Sequence, residues 1–134
     1  MCPLCVSSQI AYVAQHHIEQ LASHLESTSV AYFCATHKVS ETAARQALGG
    51  FGLVGNLALQ RIGTLSGGQK ARLTFATMLH DAPHLMILDE PTNHLDKDSL
   101  DSLSAAIKLF KGAVIMVSRD SQMVIEYHYA LGIN

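Results

Sequence analysis

Two adjacent carboxylates, Asp89 and Glu90, follow the apolar run Leu85-Met86-Ile87-Leu88. A run of that length predicts a strand buried in a parallel sheet. Open α/β sheets hold their ligands at the carboxyl ends of such strands. Successive strand residues point to opposite faces, so the two carboxylates cannot share one task unless the chain turns between them. A division of labour fits, with Asp89 towards a metal ion and Glu90 towards an attacking water. Upstream, Ser66-Gly67-Gly68-Gln69 is a capping box by residue type, Ser at the N-cap and Gln at N3. The first N–H groups of a helix have no helical partners and its dipole attracts anions, while two glycines let a phosphate approach closely. Taken singly, each feature also has a plain reading: an ordinary helix cap, and a strand-end pair that solvates a loop.

Their order and spacing carry more. Leu65-Ser66-Gly67-Gly68-Gln69-Lys70-Ala71-Arg72-Leu73 resembles the signature motif of ATP-binding-cassette (ABC) ATPases. Leu85-Met86-Ile87-Leu88-Asp89-Glu90-Pro91-Thr92-Asn93-His94-Leu95-Asp96 resembles their Walker B strand and D-loop, most closely in its ABC-F form. That branch includes soluble translation factors such as the fungal elongation factor of this class, and the resemblance covers residues 9–120. It implies that Ser66, Gly67, Gly68 and Gln69 face the γ-phosphate of a nucleotide held by a partner cassette. It implies Asp89 as a Mg²⁺ group, Glu90 as the water-polarising base, and the loop ending at Asp96 as the crossing to the partner. Ile10-Ala11-Tyr12-Val13-Ala14-Gln15-His16-His17 resembles the ABC-F Q-loop, in which Gln15 contacts Mg²⁺ and senses the γ-phosphate. The alternative for Gln15 is a surface glutamine ending a strand. His94 is read as structural. The implied cofactors are ATP and Mg²⁺, and the implied partners are a second cassette and, for the parent protein, the ribosome.

Two departures stand against that pattern. A phosphate-binding loop needs Gly-Lys followed by Ser or Thr. Lys38, Lys70, Lys97, Lys108 and Lys111 all lack a preceding glycine. The expectation is a cassette from which the Walker A part is missing, inactive by itself. Second, Val117-Ser118-Arg119-Asp120 stands where the family has a switch histidine, so Arg119 occupies a catalytic position. Guanidinium can donate to a phosphate but cannot exchange a proton near neutrality. Slow hydrolysis in a degenerate site and relaxed constraint in a truncated gene both account for it. Two other readings stay open: the ATPase subunit of an ABC transporter, disfavoured by Asn93-His94 in the D-loop, and a non-catalytic module lending its signature motif to a partner.

The elements that must position these residues follow from the pattern. The expected fold class is α/β, a partial P-loop NTPase with a parallel sheet and a helical signature subdomain. Residues 1–8 are unassigned, and 9–134 are read as one truncated nucleotide-binding domain. Residues 9–13 alternate as a strand. A helical spacing of Ile18, Leu21, Ala22 and Leu25 is interrupted at Ser27-Thr28-Ser29, with a shorter helix after it. Ser40 caps a helix over 41–48 that Gly49-Gly50 stops. Residues 51–64 read as loop with a short helical turn. The Ser66 helix runs to about His80, with Phe75, Met78 and Leu79 as its apolar face, and Pro83 follows it. Residues 98–110 form an amphipathic helix, 113–118 a second buried strand, and 122–129 a last helix.

Composition sets the outer bounds. The chain has 134 residues, 49% hydrophobic and 15% charged, with net charge -2. That is enough for one core and gives no basic footprint for nucleic acid. No apolar run approaches the ~18 residues of a membrane span, and the expected location is the cytoplasm. Cys2-x-x-Cys5 has no second ligand pair at finger spacing, so it reads as reduced thiols rather than a zinc site. The histidines are scattered without an i, i+4 pair beside a third ligand.

Overall fold

Three apolar stretches pair side by side. The computed structural model describes residues 10–13, 19–89 and 97–117. Strands β1 (Ile10–Val13), β2 (Leu85–Asp89) and β3 (Ala113–Val117) form a parallel sheet in the order β1-β2-β3. Tyr12 is paired with Ile87, and Ile87 with Ile115. Parallel neighbours require long crossovers. Helix α5 (Lys97–Leu109) lies in the β2 to β3 crossover, and the whole helical cluster intervenes between β1 and β2.

That cluster is built from capped helices. Thr28 Oγ1 accepts from the Ala31 N–H at 3.1 Å and starts α1 (Ser29–His37). Ser40 Oγ accepts from the Ala43 N–H at 3.3 Å and starts α2 (Glu41–Gly50), as expected. The two glycines fall inside the last turn of α2 rather than beyond it. A short α3 (Asn56–Leu59) and a 3₁₀ turn (Ile62–Thr64) follow, and then α4 (Gly67–Leu79).

The expected first helix is corrected. Glu19–His24 is a 3₁₀ turn. Leu21 is buried, but Ala22 and Leu25 are exposed. The cause is non-local. Carbonyls that would continue a helix accept from another segment instead: Leu25 from the Gly63 N–H and Ser27 from the Ile62 N–H, both at 2.9 Å. The last expected helix, 122–129, lies outside the described residues.

Two cores share α4. Leu73 and Ala76 join Leu21, Val30, Phe33, Leu48, Leu53 and Ile62. Ala71 and Phe75 join Met86, Leu88, Leu103, Ala106 and Ile107 against the sheet. At 100° per residue these two pairs lie on opposite sides of the helix. The sheet burial expected from apolar runs is only half met. Met86 and Leu88 are buried against α4 and α5, whereas Tyr12, Ile115 and Val117 on the other face are 48%, 51% and 55% exposed. An apolar run records that a strand can be buried on both faces, not which face is covered.

Helices α4 and α5 approach closely at one point. A Cβ on Gly68 would stand 2.7 Å from Asp98 Cβ and 3.2 Å from its backbone carbon. Beside it, Arg72 Nε donates to Ser102 Oγ at 3.1 Å, and Ser102 Oγ donates to the Asp98 carbonyl at 2.6 Å. Gly68→Ala should therefore destabilise by roughly 1–3 kcal/mol, the usual cost of overpacking, despite the ~1 kcal/mol helix gain of Ala over Gly. Gly50→Ala, where an added Cβ meets nothing within 4 Å, should be neutral or stabilising. Urea denaturation of both variants tests this, and equal effects would remove the packing role of Gly68.

Candidate functional site

The first half of the site is the start of α4. Ser66 has extended backbone angles, φ -66° and ψ 165°. Its Oγ accepts from the Gln69 N–H at 3.2 Å, and its own N–H donates to Gln69 Oε1 at 2.9 Å. The capping box expected from residue types is formed. Ser66 and Gly67 are exposed, while Gly68 is buried. The two glycines thus differ. Gly68 is held to glycine by its contact with Asp98, and Gly67 is the one that opens to solvent. The sequence could not separate them, because the α4–α5 approach is tertiary.

The second half is the carboxyl end of β2. Leu85, Ile87 and Asp89 share the sheet face opposite the helices, and Asp89 is exposed. Tyr12 sits on that same face, paired with Ile87, two residues short of Asp89. Its hydroxyl donates to Asp89 Oδ2 at 3.0 Å. Sequence reasoning missed Tyr12. The pair is separated by 77 positions, and only the β1–β2 register brings it together.

The remaining candidates, Gln15, Glu90, Asp96 and Arg119, lie outside the described residues. Their places in the chain are still informative. Gln15 comes two positions after Val13, Glu90 one after Asp89, and Arg119 two after Val117. Val13 is paired with Leu88, and Asp89 with Val117. Three candidates therefore follow the same ends of three adjacent parallel strands. Among the described residues, no hydrogen bond links residues 66–69 to Asp89.

The Tyr12–Asp89 contact has a pH signature. The hydrogen bond to Asp89, then the carboxylate charge, then burial push the Tyr12 phenol above its ordinary value. The fold binds this proton more tightly than the unfolded chain does. The stabilisation is full below the ordinary tyrosine value and is lost as pH rises through the raised one. In metal-free buffer, Asp89→Asn should bring the alkaline titration of Tyr12 down. The check is ultraviolet absorbance titration, with Tyr12→Phe identifying the signal; an unchanged midpoint would contradict the contact.

Comparisons with known proteins agree with this geometry. The family described as ABC transporter matches residues 5–93. The chain is 50% identical over 112 residues to an uncharacterized ABC transporter ATP-binding protein of Schizosaccharomyces pombe. It is 43% identical over 117 residues to ABC transporter F family member 3 of Arabidopsis thaliana, and 40% identical over 117 residues to Protein GCN20 of Saccharomyces cerevisiae. These alignments take in 84% to 87% of this chain but only 15% to 16% of each relative. Among solved structures, a dimeric ATP-binding cassette, MJ0796, in a post-hydrolysis state bound to ADP and Pi, has the same fold. Its TM-score is 0.59 at 21% identity, over 86% of this chain and 54% of that one. No described helix is long and apolar enough to cross a membrane. With its capped signature helix, its carboxylate-ended parallel strand and these similarities, the chain belongs to the ABC family, as part of a cassette of the sub-family F type.

Proposed function

We propose that the chain is part of one nucleotide-binding cassette of a soluble, cytoplasmic ABC-F ATPase, whose paired cassettes bind and hydrolyse ATP in step with an event on the ribosome. The observation that carries it is the pairing of a closed Ser66 cap with an outward-facing Asp89 on one folded unit.

The residues fit ATP with Mg²⁺. Mg²⁺ takes oxygen ligands and is usually held by one or two carboxylates plus phosphates. Asp89 offers an exposed carboxylate oriented by Tyr12. Asp89 and Gln15 would hold the ion, and Glu90 would orient the attacking water. Gly67 and Gly68 would present backbone N–H groups, Ser66 its hydroxyl and Gln69 its side-chain amide to the γ-phosphate on the partner cassette, with Asp96 in the loop that crosses to it. When bound, MgATP supplies the scissile phosphoryl group. Arg119 would donate to phosphate but leave the proton-relaying work of a histidine undone.

The test uses a hybrid in which residues 9–134 replace the matching segment of full-length GCN20 of S. cerevisiae. Glu90→Gln should cut phosphate release by about 10²–10⁴-fold, the usual worth of a general base, while ATP stays bound and the hybrid still sediments with ribosomes. Arg119→His should raise turnover. Unchanged hydrolysis in Glu90→Gln removes the base assignment, and loss of ribosome association in the otherwise active hybrid removes the translation reading.

A second reading has its own observation, the absence of any Gly-Lys pair in these residues. On that reading the stretch would lend its signature face to a partner that holds the nucleotide. The 134-residue chain by itself should then show no saturable thermal shift with millimolar MgATP, against the ~2.7 kcal/mol expected at a hundredfold the Kd. A saturable shift that disappears in Asp89→Asn would overturn this.

A further inference from the structure

We propose that His37, His80 and Asp81 form a binding site for a divalent transition-metal ion of the Zn²⁺ class, joining the C-terminal ends of α1 and α4. His37 is the last residue of α1, and His80 and Asp81 directly follow α4. One ligand atom from each residue lies within 4.8 Å of the other two. His37 Nδ1 stands 3.5 Å from Asp81 Oδ1, and the two imidazole rings are 4.5 Å apart, tilted by 57°. Two imidazoles and a carboxylate are a donor set suited to Zn²⁺ and its neighbours, with metal–ligand bonds of about 2.0–2.2 Å. Bonds of that length bring the three donors closer together, and Asp81, 65% exposed, is free to supply the movement.

The protein groups alone leave this cluster incomplete. The His37 side chain is 6% exposed, and its Nε2 is buried with no hydrogen bond of normal geometry. Burying a nitrogen in that state is unfavourable. Packing accounts for the ring positions, since Phe33 meets His37 at a tilt with centroids 4.6 Å apart and meets His80 edge-on at 4.9 Å. Packing leaves His37 Nε2 without a hydrogen bond of normal geometry, while Nδ1 faces Asp81. A cation held with Asp81 takes one of these two ring nitrogens, in the negative potential where two helix C-termini converge. Burial pushes His37 below the ordinary imidazole value. Asp81 and the nearby Thr77 backbone oppose that fall and His80 adds to it.

The experiment titrates ZnCl₂ into the metal-free 134-residue chain by calorimetry, with Co²⁺ absorption as a probe of nitrogen and oxygen ligation. One Zn²⁺ should bind per chain and raise the unfolding temperature. His37 is buried and its replacement endangers the fold, so the variants are His80→Gln and the exposed Asp81→Asn. Each should weaken Zn²⁺ binding about tenfold or more and lose the thermal shift. Cys2→Ser with Cys5→Ser should leave binding intact. No saturable binding by the parent chain overturns the site. So does parental affinity in either His80→Gln or Asp81→Asn, or loss of binding in the cysteine variant.

Discussion

Helix α4 is buried on two sides, and the arrangement of everything else follows from that. Leu73 and Ala76 enter the core of the helical cluster, while Ala71 and Phe75 enter the core under the sheet. Burying one such side chain as large as Leu73 or Phe75 is worth about 1.5–3 kcal/mol. A helix with apolar groups on opposite sides can satisfy both only between two cores. Its polar residues comply with that position. Thr74 and Thr77 hydroxyls donate to carbonyls of their own helix, Lys70 at 3.0 Å and Leu73 at 2.9 Å. Arg72 turns its charge to Ser102 on α5. One rod therefore holds the sheet and the helical cluster in a fixed relation. The cap at its first turn and the strand end at Asp89 are positioned by a common scaffold.

What could be read from the sequence divides along the range of the interactions. Ser40 and Ser66 cap helices because a cap is a contact three residues long, and residue types alone specify it. Strands β2 and β3 were legible because parallel strands carry apolar runs bounded by Pro83 and Gly112. The Glu19–His24 turn was not legible, because carbonyls at Leu25 and Ser27 are claimed by residues 62 and 63. Nor was the exposed sheet face. In the site itself, the motif residues were recognisable by spacing. Tyr12 was not, since its partner is fixed by register between strands on either side of the helical cluster. Gly68 was singled out for the wrong range of action: its nearest constraint is the start of α5.

The two halves of the site are built differently, and that difference bears on how they would be used. The Ser66 turn is closed on itself by reciprocal hydrogen bonds. Those bonds also engage the Ser66 and Gln69 N–H groups, so the backbone donors left for a ligand are those of Gly67 and Gly68. Asp89 is open, with one oxygen engaged by Tyr12. A preformed donor surface and an open acceptor that share a core but no hydrogen bond do not need a common ligand within one chain. Two copies or two cassettes, each supplying one half, use such a layout without waste. Pairing enters the proposed function through the likeness to ABC cassettes, and this layout is compatible with it.

The histidine cluster depends on the same helix. Sequence rules for metal sites look for ligands on one element, at i and i+4 or in Cys-x-x-Cys pairs. Ligands that come from the ends of two helices leave no such trace. His37 and His80 meet because α1 and α4 stop at the same place, and they do so because Phe33 and Leu73 share a core. An ion there acts on the α1–α4 contact. The Ser66 cap stands at the other end of α4, a helix of 13 residues and so about 20 Å long at 1.5 Å per residue. A clamp at one end of a stiff rod restrains the tilt of the other. An ion bound at the proposed site would thus act on the same helix that carries the signature cap.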